Sequence, residues 1–463
     1  MIVNSDATQQ AMAATELLQR AFPGRVTTTD DASEHKTELS RPWSKTCWVP
    51  AAAYVRPNTA EEVAEALKII TQTGSKFAVR TTGHNPNLGF SSTDETGIVI
   101  DLRNLDSKSV DSDGALRAGA GNTWGAVYSW LEDRKLSAMG GRDADVGLGG
   151  FLLGGGLGPF PSLHGIGADT VKNFEVVLAD GTIVNANADT NVNLFRALKG
   201  GGSNFGIVTR FDIATYPLMN IQYTINAYDA ADYVNILQAT VQVQEAMESD
   251  PKIGLFTNVR NGFLIVGLMY ADCPAKTPKA FEPFLKLTSL VNVILPTTNG
   301  TFSALVKTLG QFHPPVPQKR AVCTATTKAS YDLYAEIYGA WKDEIKNLVT
   351  GVDLHFTIQP ITSSCVQAGE ASGGNTTGLQ KVPQCWFVFT AEWETDGHDA
   401  AIEETLTAIM EQAKKLAAER ELLLSYLSMT FAHSSQNVLK SYGAENVKKL
   451  RDTADEYDPK GLL

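Results

Sequence analysis

Hydrophobic positions along the chain follow two patterns, and the change between them lies near residue 218. Up to about Pro217, after a polar leader, short apolar runs such as 77–79 and 98–100 alternate with segments whose apolar residues repeat every three or four positions. The short runs predict buried strands, and the longer repeats predict amphipathic helices. The first part of the chain is therefore predicted to alternate helices and strands.

Local signals predict where several of these elements begin and end. Thr59 and Glu62 fit a capping box at the start of a helix, and Gly74 is expected to end that helix. Thr123 is expected to cap a second helix. Residues 174–186 predict a β-hairpin because an Asp-Gly pair lies between two apolar runs.

Longer repeats and longer strands characterise residues 218–425. This combination predicts an antiparallel sheet backed by helices, which is an α+β arrangement. Residues 426–463 then predict a strand, a loop and a last helix. The helical repeats lie at 232–247 and 330–349, and the strands lie at 254–270, 352–361 and 385–393.

Length and charge narrow the class of protein. A chain of 463 residues predicts two domains. Hydrophobic residues make up 43% and charged residues 19%, as in an ordinary globular protein. The net charge of -12 argues against a nucleic-acid-binding protein. An anionic ligand would have to be held by backbone amides rather than by a basic surface.

The five cysteines are scattered, without a CxxC pair or a Cys/His cluster. This spacing argues against a zinc or other metal site and against a disulfide framework, although one isolated disulfide bond remains possible. The first residues contain no apolar core of signal-peptide length, and no segment has the length and apolarity of a membrane span. We therefore expect a soluble, cytoplasmic protein without a membrane partner.

Three glycine-rich segments are the strongest candidates for a ligand site. The first, 80-RTTGHNPNLGFSST-93, places His84 in a turn-forming sequence whose backbone amides are free to face a ligand. The others are 140–160 and 200–208. In the 140–160 segment, Leu152 occupies the third glycine position of GxGxxG, so this segment is not a dinucleotide fingerprint. The sequence also contains no nucleotide-triphosphate loop.

Together these three segments resemble the FAD-binding domain of the vanillyl-alcohol oxidase and p-cresol methylhydroxylase family. The resemblance is greatest to the berberine-bridge-enzyme-like branch and its fungal secondary-metabolism members, and it returns at 426–463. It implies an α+β fold: a p-cresol-methylhydroxylase-type FAD-binding domain of two small α/β subdomains at 1–217, with its core at about 46–217. A substrate domain at 218–425 and a C-terminal segment that returns to the FAD-binding domain would follow.

The resemblance also implies which residues bind FAD. His84 matches the histidine that is bonded to the flavin 8α carbon in many relatives, whereas Asp143 replaces the cysteine that forms a second bond. We therefore expect a single covalent link through His84; the alternative is an ordinary loop histidine beside a dissociable flavin. The other expected cofactor-binding residues are Arg80, Thr81, Thr82, Gly83, Asn85, Gly89, Ser91, Ser92, Gly141, Asp145, Gly147, Gly149, Gly150, Gly154, Gly155, Gly156, Gly206 and Ile207.

Catalytic residues are less clearly marked. Tyr426 matches the tyrosine of the family's Y-x-N motif, but the asparagine is replaced by Ser428, and Pro86 stands where some relatives have another tyrosine. Tyr426 is expected to act as a base or to orient the substrate, or else to be a structural tyrosine in a buried strand. Glu392 is a weaker candidate for the base because it is equally compatible with a position in solvent.

The second domain gives little information about the substrate. Strand phase is expected to place Phe387 and Phe389 near the site, with Trp386 as a further candidate. His355, Thr357 and Gln359 share one face of a strand, as either pocket residues or the polar side of a half-exposed strand. Because this domain shows no charged clamp, an apolar or a polyketide- or alkaloid-like substrate is expected rather than a sugar or a small acid.

The function that the resemblance implies is an FAD-dependent oxidase. Such an enzyme removes a hydride from a small organic substrate, here expected to be a secondary metabolite, passes it to flavin N5 and returns the electrons to dioxygen. One alternative is a redox-neutral cyclase of the Diels–Alder type on the same fold; another is a non-enzymatic flavin-binding protein. Both a monomer and a homodimer are compatible with the sequence.

Overall fold

The computed structural model describes residues 5–312 and 316–463. Helices are distributed along both described ranges. They are α1 (Ser5–Ala21), α2 (Ala32–Leu39), α3 (Ala60–Thr73), α4 (Trp124–Glu132), α5 (Leu148–Leu153), α6 (Pro161–His164), α7 (Val192–Leu198), α8 (Tyr233–Met247), α9 (Glu282–Leu285), α10 (Phe302–Leu309), α11 (Tyr331–Glu344), α12 (Ser363–Ala371), α13 (Asp399–Glu419), α14 (Val438–Ser441) and α15 (Ala444–Tyr457).

The strands form three larger sheets and one short pair. They are β1 (Val26–Thr28), β2 (Ala53–Val55), β3 (Lys76–Arg80), β4 (Gly97–Asp101), β5 (Lys108–Val110), β6 (Leu116–Gly119), β7 (Leu136–Ser137), β8 (Val171–Val177), β9 (Ile183–Asn187), β10 (Ile207–Ile213), β11 (Tyr216–Pro217), β12 (Asn220–Asp229), β13 (Ile253–Arg260), β14 (Phe263–Tyr270), β15 (Leu290–Thr301), β16 (Lys319–Lys328), β17 (Val352–Ile361), β18 (Gln384–Trp393) and β19 (Leu423–Leu424).

The first sheet has the order β1-β2-β4-β3, with β2, β4 and β3 parallel. Helix α3 packs beside it and carries the predicted end signals. The Thr59 hydroxyl accepts a hydrogen bond from the Glu62 amide at 3.3 Å, and Gly74 ends the helix with φ 71°. The Glu62 carboxylate instead accepts from the Asn58 amide at 2.6 Å, so only half of the predicted capping box forms.

The second sheet is antiparallel, in the order β5-β6-β10-β8-β9. Its β8–β9 hairpin is the one predicted at 174–186. Helix α4 begins after Thr123, whose hydroxyl accepts from the Ala126 amide at 3.2 Å. Trp124, Val127 and Leu131 are buried beneath this helix, as its spacing predicted.

The polar leader that the sequence indicated is in fact a helix. Helix α1 buries Ala11, Ala14 and Leu18, followed by Phe22, each at most 1% exposed. These positions lie three or four residues apart and form one face that packs against α3. Sequence analysis described this segment only as polar and assigned no helix to it, because alanines carry much of the buried face and give a weak hydrophobic signal.

The third sheet confirms the predicted α+β arrangement of the second half. Its eight strands are antiparallel, in the order β15-β12-β14-β13-β17-β18-β16-β19. One face packs against α8, α11 and α13 in a core of its own. The opposite face contributes Tyr223, Met269 and Trp386 to the core shared with the first two sheets.

Strand β18 has the opposite phase to the one expected. Phe387 and Phe389 point into the helix-backed core with Phe356, so their expected position near the site was wrong. Trp386 lies on the other face, where it packs against Tyr426 with ring centroids 5.0 Å apart. Both faces of this strand are buried, and for that reason its sequence lacks the alternation that reveals phase.

Two expectations from composition are answered directly. All five cysteines are free, so the isolated disulfide bond that the sequence allowed does not form. Within the described ranges, none of the helices has the combined length and apolarity that a membrane crossing requires.

Candidate active site

A stack of side chains holds the His84 ring in one orientation. The Trp43 ring lies on the His84 ring with centroids 4.4 Å apart and planes 14° apart. The Arg320 guanidinium carbon is 4.2 Å from the centroid of Trp43, and Arg320 Nε donates to Glu392 at 2.8 Å. The Trp43 amide also donates to the Gly83 carbonyl at 3.0 Å, which ties the stack to the turn. His84 is therefore positioned by contacts from both halves of the chain.

Asp143 lies beside this histidine. Its Oδ2 is 3.6 Å from His84 Nε2. This nitrogen is buried and has no hydrogen-bond partner among the residues described. The two side chains are 22% and 28% exposed, so a ligand can still reach the pair. The carboxylate that replaces the family's cysteine thus faces the histidine directly.

The first two glycine-rich segments touch each other. The Gly147 amide donates to the Thr82 hydroxyl at 3.1 Å. A Cβ at Gly147 would lie 2.9 Å from the Thr81 and Thr82 side chains, and a Cβ at Gly149 would lie 2.8 Å from Thr81. Glycine is required here because the backbone of one loop passes directly over the side chains of the other.

The glycine run continues beneath the C-terminal segment. Gly155 and Gly156 adopt φ angles of 99° and 74°, which favour glycine. A Cβ at Gly155 would lie 3.8 Å from the Tyr426 hydroxyl, and one at Gly154 would lie 3.0 Å from Thr430. The structure therefore brings Tyr426 and the 140–160 segment together.

Tyr426 is 2% exposed, between Trp386 and Tyr442. Its hydroxyl is buried without a hydrogen-bond partner in the part of the chain that the structure describes. Burial raises the pKa of this phenol, and the nearby Ser428 hydroxyl offsets part of that effect. Tyr426 is accordingly a protonated hydrogen-bond donor at neutral pH and not a ready base. Ser428 itself is paired with the Thr430 hydroxyl at 3.1 Å.

Ser91 and Ser92 carry two further buried hydroxyls that lack partners among the described residues. Buried polar groups nearly always have hydrogen-bond partners in a complete structure. The unpartnered Ser91 and Ser92 hydroxyls and the His84 nitrogen belong to the segment that the sequence assigned to FAD, and the Tyr426 hydroxyl belongs to the residue expected to be catalytic. A ligand with phosphate oxygens and a polar ring system fits this set, so the residues present suit FAD.

Unlike these unpartnered groups, the Arg80 side chain already has hydrogen-bond partners. Its guanidinium donates to Asp101 Oδ2 and Glu38 Oε2, both at 2.7 Å, and to the Glu38 carbonyl at 3.0 Å. The side chain is 1% exposed and lies over the Tyr54 ring. Its side chain is fully engaged by Asp101 of the first sheet and Glu38 of α2, so only the Arg80 backbone is available to a cofactor.

The other expected cofactor residues differ in their surroundings. Asn85 closes a tight turn by accepting from the Asn87 amide at 2.9 Å, and the Gly141 carbonyl accepts from the Tyr128 hydroxyl at 2.9 Å. A Cβ at Gly206 would lie 2.4 Å from Val176, so this glycine permits close strand packing. Gly89, Asp145 and Gly150 are exposed, and Gly83 and Ile207 are buried.

A group of possible metal ligands, Asp353, His355 and Glu392, lies on the same sheet face. Both carboxylates already have arginine partners, because Arg260 donates to Asp353 and Arg320 donates to Glu392. Glu392 is 15% exposed and paired with Arg320, so of its two alternatives a position in solvent does not describe it. His355 and Gln359 are 6% and 2% exposed, so the half-exposed strand that was the other interpretation does not describe β17.

Sequence analysis missed two side chains of this site. Trp43 is 41 positions from His84, and no motif links them. Arg142 directly precedes Asp143, the residue that replaces the family's cysteine, but no motif in the sequence assigns a role to Arg142 itself. Its Nη2 donates to Gln359 across the gap between the two halves of the chain.

Comparisons with known proteins agree with this geometry. The sequence profile of a family described as an FAD binding domain matches residues 51–187. An FAD-dependent monooxygenase of Arthrobotrys oligospora is 35% identical over 424 residues, which cover 91% of this chain and 82% of that protein. An FAD-dependent monooxygenase of Penicillium terrestre is 31% identical and covers 96% of this chain and 86% of its own.

The chain belongs to this family of FAD-dependent oxidoreductases. Solved structures show the same fold as this flavoenzyme. A glucooligosaccharide oxidase from Acremonium strictum matches with a TM-score of 0.82 at 19% identity, covering 97% of both chains. The 6-hydroxy-D-nicotine oxidase from Arthrobacter nicotinovorans matches with a TM-score of 0.81 at 19% identity, covering 95% of this chain and 96% of its own.

The family prediction and the fold prediction are therefore confirmed. The chain is an FAD-dependent enzyme with the α+β fold of the vanillyl-alcohol oxidase, p-cresol methylhydroxylase and berberine-bridge-like proteins. The structure of the Acremonium strictum enzyme concerns a 6-S-cysteinyl, 8α-N1-histidyl FAD. In the present flavoenzyme, Asp143 stands at the position matched to the family's cysteine.

Proposed function

We propose that this flavoenzyme is an oxidase of a small organic molecule and that its FAD is attached through His84. The observation that carries the proposal is the fixed His84 ring, which is stacked on Trp43 and faces Asp143 next to the glycine-rich cradle. A histidine held in this way loses little side-chain freedom when it forms a bond. Without a cysteine at position 143, a thioether cannot form there.

The cofactor would be held by backbone amides and by buried hydroxyls. Backbone amides of residues 81–85 would face the pyrophosphate, which suits a chain with a net charge of -12. The Ser91 and Ser92 hydroxyls would supply further donors. Bound FAD supplies the capacity to accept two electrons from the substrate and to return them to dioxygen.

Tyr426 is proposed to orient the substrate. Its hydroxyl is a donor whose pKa is raised by burial, and it has no partner among the described side chains. It can therefore donate a hydrogen bond to a substrate oxygen or nitrogen. Trp386, 5.0 Å away between ring centroids, would form an adjacent apolar wall. Together the two rings would exclude water from the reacting bond.

Acid precipitation of the purified protein tests the covalent link. We expect the yellow colour to stay with the pellet, and we expect peptide mapping to locate the flavin on His84. His84→Ala should release the flavin to the supernatant while keeping the protein folded. Colour in the supernatant of the wild-type protein would contradict the link but leave the flavoenzyme intact.

Oxygen consumption tests the reaction class. With a substrate that reduces the flavin anaerobically, we expect hydrogen peroxide to form in step with product. Tyr426→Phe removes one hydroxyl and should lower kcat/KM by about 10- to 100-fold, the loss of one hydrogen bond to the transition state. Product formation without oxygen consumption and without flavin bleaching would refute the oxidase and support a redox-neutral cyclase.

A further inference from the structure

Arg142 extends from the FAD-binding half of the chain toward the large sheet. Its Nη2 donates to the carboxamide oxygen of Gln359, and its guanidinium carbon is 5.4 Å from the centroid of Phe256. Gln359 is paired across β17 and β18 with Trp386, which packs against Tyr426. Arg142 therefore lies along the same wall as the candidate catalytic tyrosine.

The partners of this guanidinium are neutral. Burial is the sole cause that shifts the pKa of Arg142, lowering it to about 10, and no carboxylate offsets that cause. The group is still charged at neutral pH, three units below that value. Arg80 and Arg320, by contrast, each have a carboxylate within 2.8 Å. Arg142 thus differs from Arg80 and Arg320, whose guanidinium groups are each paired with a carboxylate.

A largely buried charge without a counter-charge is costly to keep. Gln359 can satisfy one donor, but a guanidinium has five. The side chain also remains partly open to solvent, so a ligand has access to it. The planar fork of arginine is best matched by a carboxylate, which accepts two parallel hydrogen bonds.

We propose that Arg142 binds a carboxylate of the substrate and so orients the substrate beside Tyr426. This inference rests on the proposed function, because the site it describes is the substrate site of the flavoenzyme. It also revises the expectation of a purely apolar substrate. The second domain contributes aromatic and amide walls, but the charged clamp comes from the FAD-binding half of the chain.

The expected effect is a difference in affinity between a charged and a neutral probe. A charge-assisted hydrogen bond contributes enough to change affinity by about 10- to 100-fold. Benzoate and benzamide have nearly the same shape, and only benzoate carries the negative charge. The flavin-loaded wild-type protein should therefore bind benzoate at least about 10-fold more tightly than benzamide.

The experiment titrates both probes into the full-length, flavin-loaded protein and follows the flavin absorption spectrum. Arg142→Gln should reduce the preference for benzoate to within about 3-fold, and Arg142→Lys should retain part of it because the charge remains but the fork is lost. Arg134→Gln is the matched control. Arg134 is an exposed arginine just after α4 that donates to the Trp130 carbonyl of that helix at 2.9 Å, so its loss should leave the preference unchanged.

Two results would overturn the inference: equal affinity of the wild-type protein for both probes, or an unchanged preference in Arg142→Gln. A lower flavin content in Arg142→Gln, together with no preference in the wild-type protein, would assign the charge to the cofactor and also refute it. If the protein purifies without flavin, the proposed function fails, but calorimetric titration with the same probes still tests Arg142. The melting temperature of each variant confirms that it is folded.

Discussion

Arg80→Met should destabilise the FAD-binding half of the chain rather than impair cofactor binding specifically. In the wild-type protein the Arg80 guanidinium joins Asp101 and Glu38, both at 2.7 Å. The side chains of these two acids are 1% and 3% exposed, so water cannot replace the lost partner. Methionine keeps much of the volume of arginine and removes only the charge and the donors.

The expected loss of unfolding free energy depends on the burial of the two acids and on Arg103, the arginine that remains beside them. Breaking a buried ion pair by removing one side costs about 3 to 5 kcal/mol of the free energy of unfolding. Arg103 still donates to both acids, to Glu38 at 3.0 Å and to Asp101 at 2.6 Å. Because this second arginine partly compensates the two carboxylates, we expect the lower end of that range, about 3 kcal/mol.

Urea unfolding followed by tryptophan fluorescence measures this loss. Arg117→Met is the matched control, because Arg117 is 50% exposed and lies 3.5 Å from Asp111. An exposed pair of this kind contributes about 1 kcal/mol or less. Flavin content per folded protein should stay unchanged in both variants. An Arg80→Met protein with wild-type stability and reduced flavin content would refute the reasoning and restore Arg80 as a cofactor ligand.

Three further predictions concern other parts of the molecule. Gly147→Ala should lower flavin content, because its Cβ would lie 2.9 Å from two threonine side chains; Gly339→Ala, whose Cβ meets open space, should not. In the native protein a thiol reagent should modify Cys273 rapidly and the four other, buried cysteines only after unfolding; fast modification of more than one thiol would contradict this. Burial lowers the pKa of Lys199 to about 8 from 10.5. Between about pH 8 and pH 10.5, the unfolded state then binds more protons than the folded state does. The free energy of unfolding should therefore rise with pH across this range, by about 3 kcal/mol in total. Lys199→Met should remove the rise, and urea midpoints with equal pH dependence in both proteins would refute it.

The elements that sequence analysis predicted well depend on neighbouring residues. The ends of α3 are marked by Thr59 and Gly74, and the start of α4 by Thr123, all within one turn of the helix. The β8–β9 hairpin depends on two residues at its turn. Such signals act over three or four positions, so one sequence is enough to reveal them.

The contacts that escaped prediction are tertiary. Nothing in the chain near His84 indicates that Trp43 stacks on it, and nothing near Arg142 indicates Gln359 as its partner. The phase of β18 was wrong because apolar side chains occur on both of its faces: Trp386 contacts the FAD-binding half while Phe387 contacts the helices. A strand buried on both sides carries no alternation from which its phase could be read.

The return of the last segment to the first half has a consequence for how the enzyme matures. Tyr426 closes over Gly155, Met429 lies against Gly202, and α15 packs on α7. A nascent chain has already made the loop around His84 long before this segment leaves the ribosome. The candidate site therefore gains these contacts only after residues 426–463 have been synthesised. We expect flavin insertion to follow the docking of this segment, and a chain that stops before residue 426 to accumulate colourless.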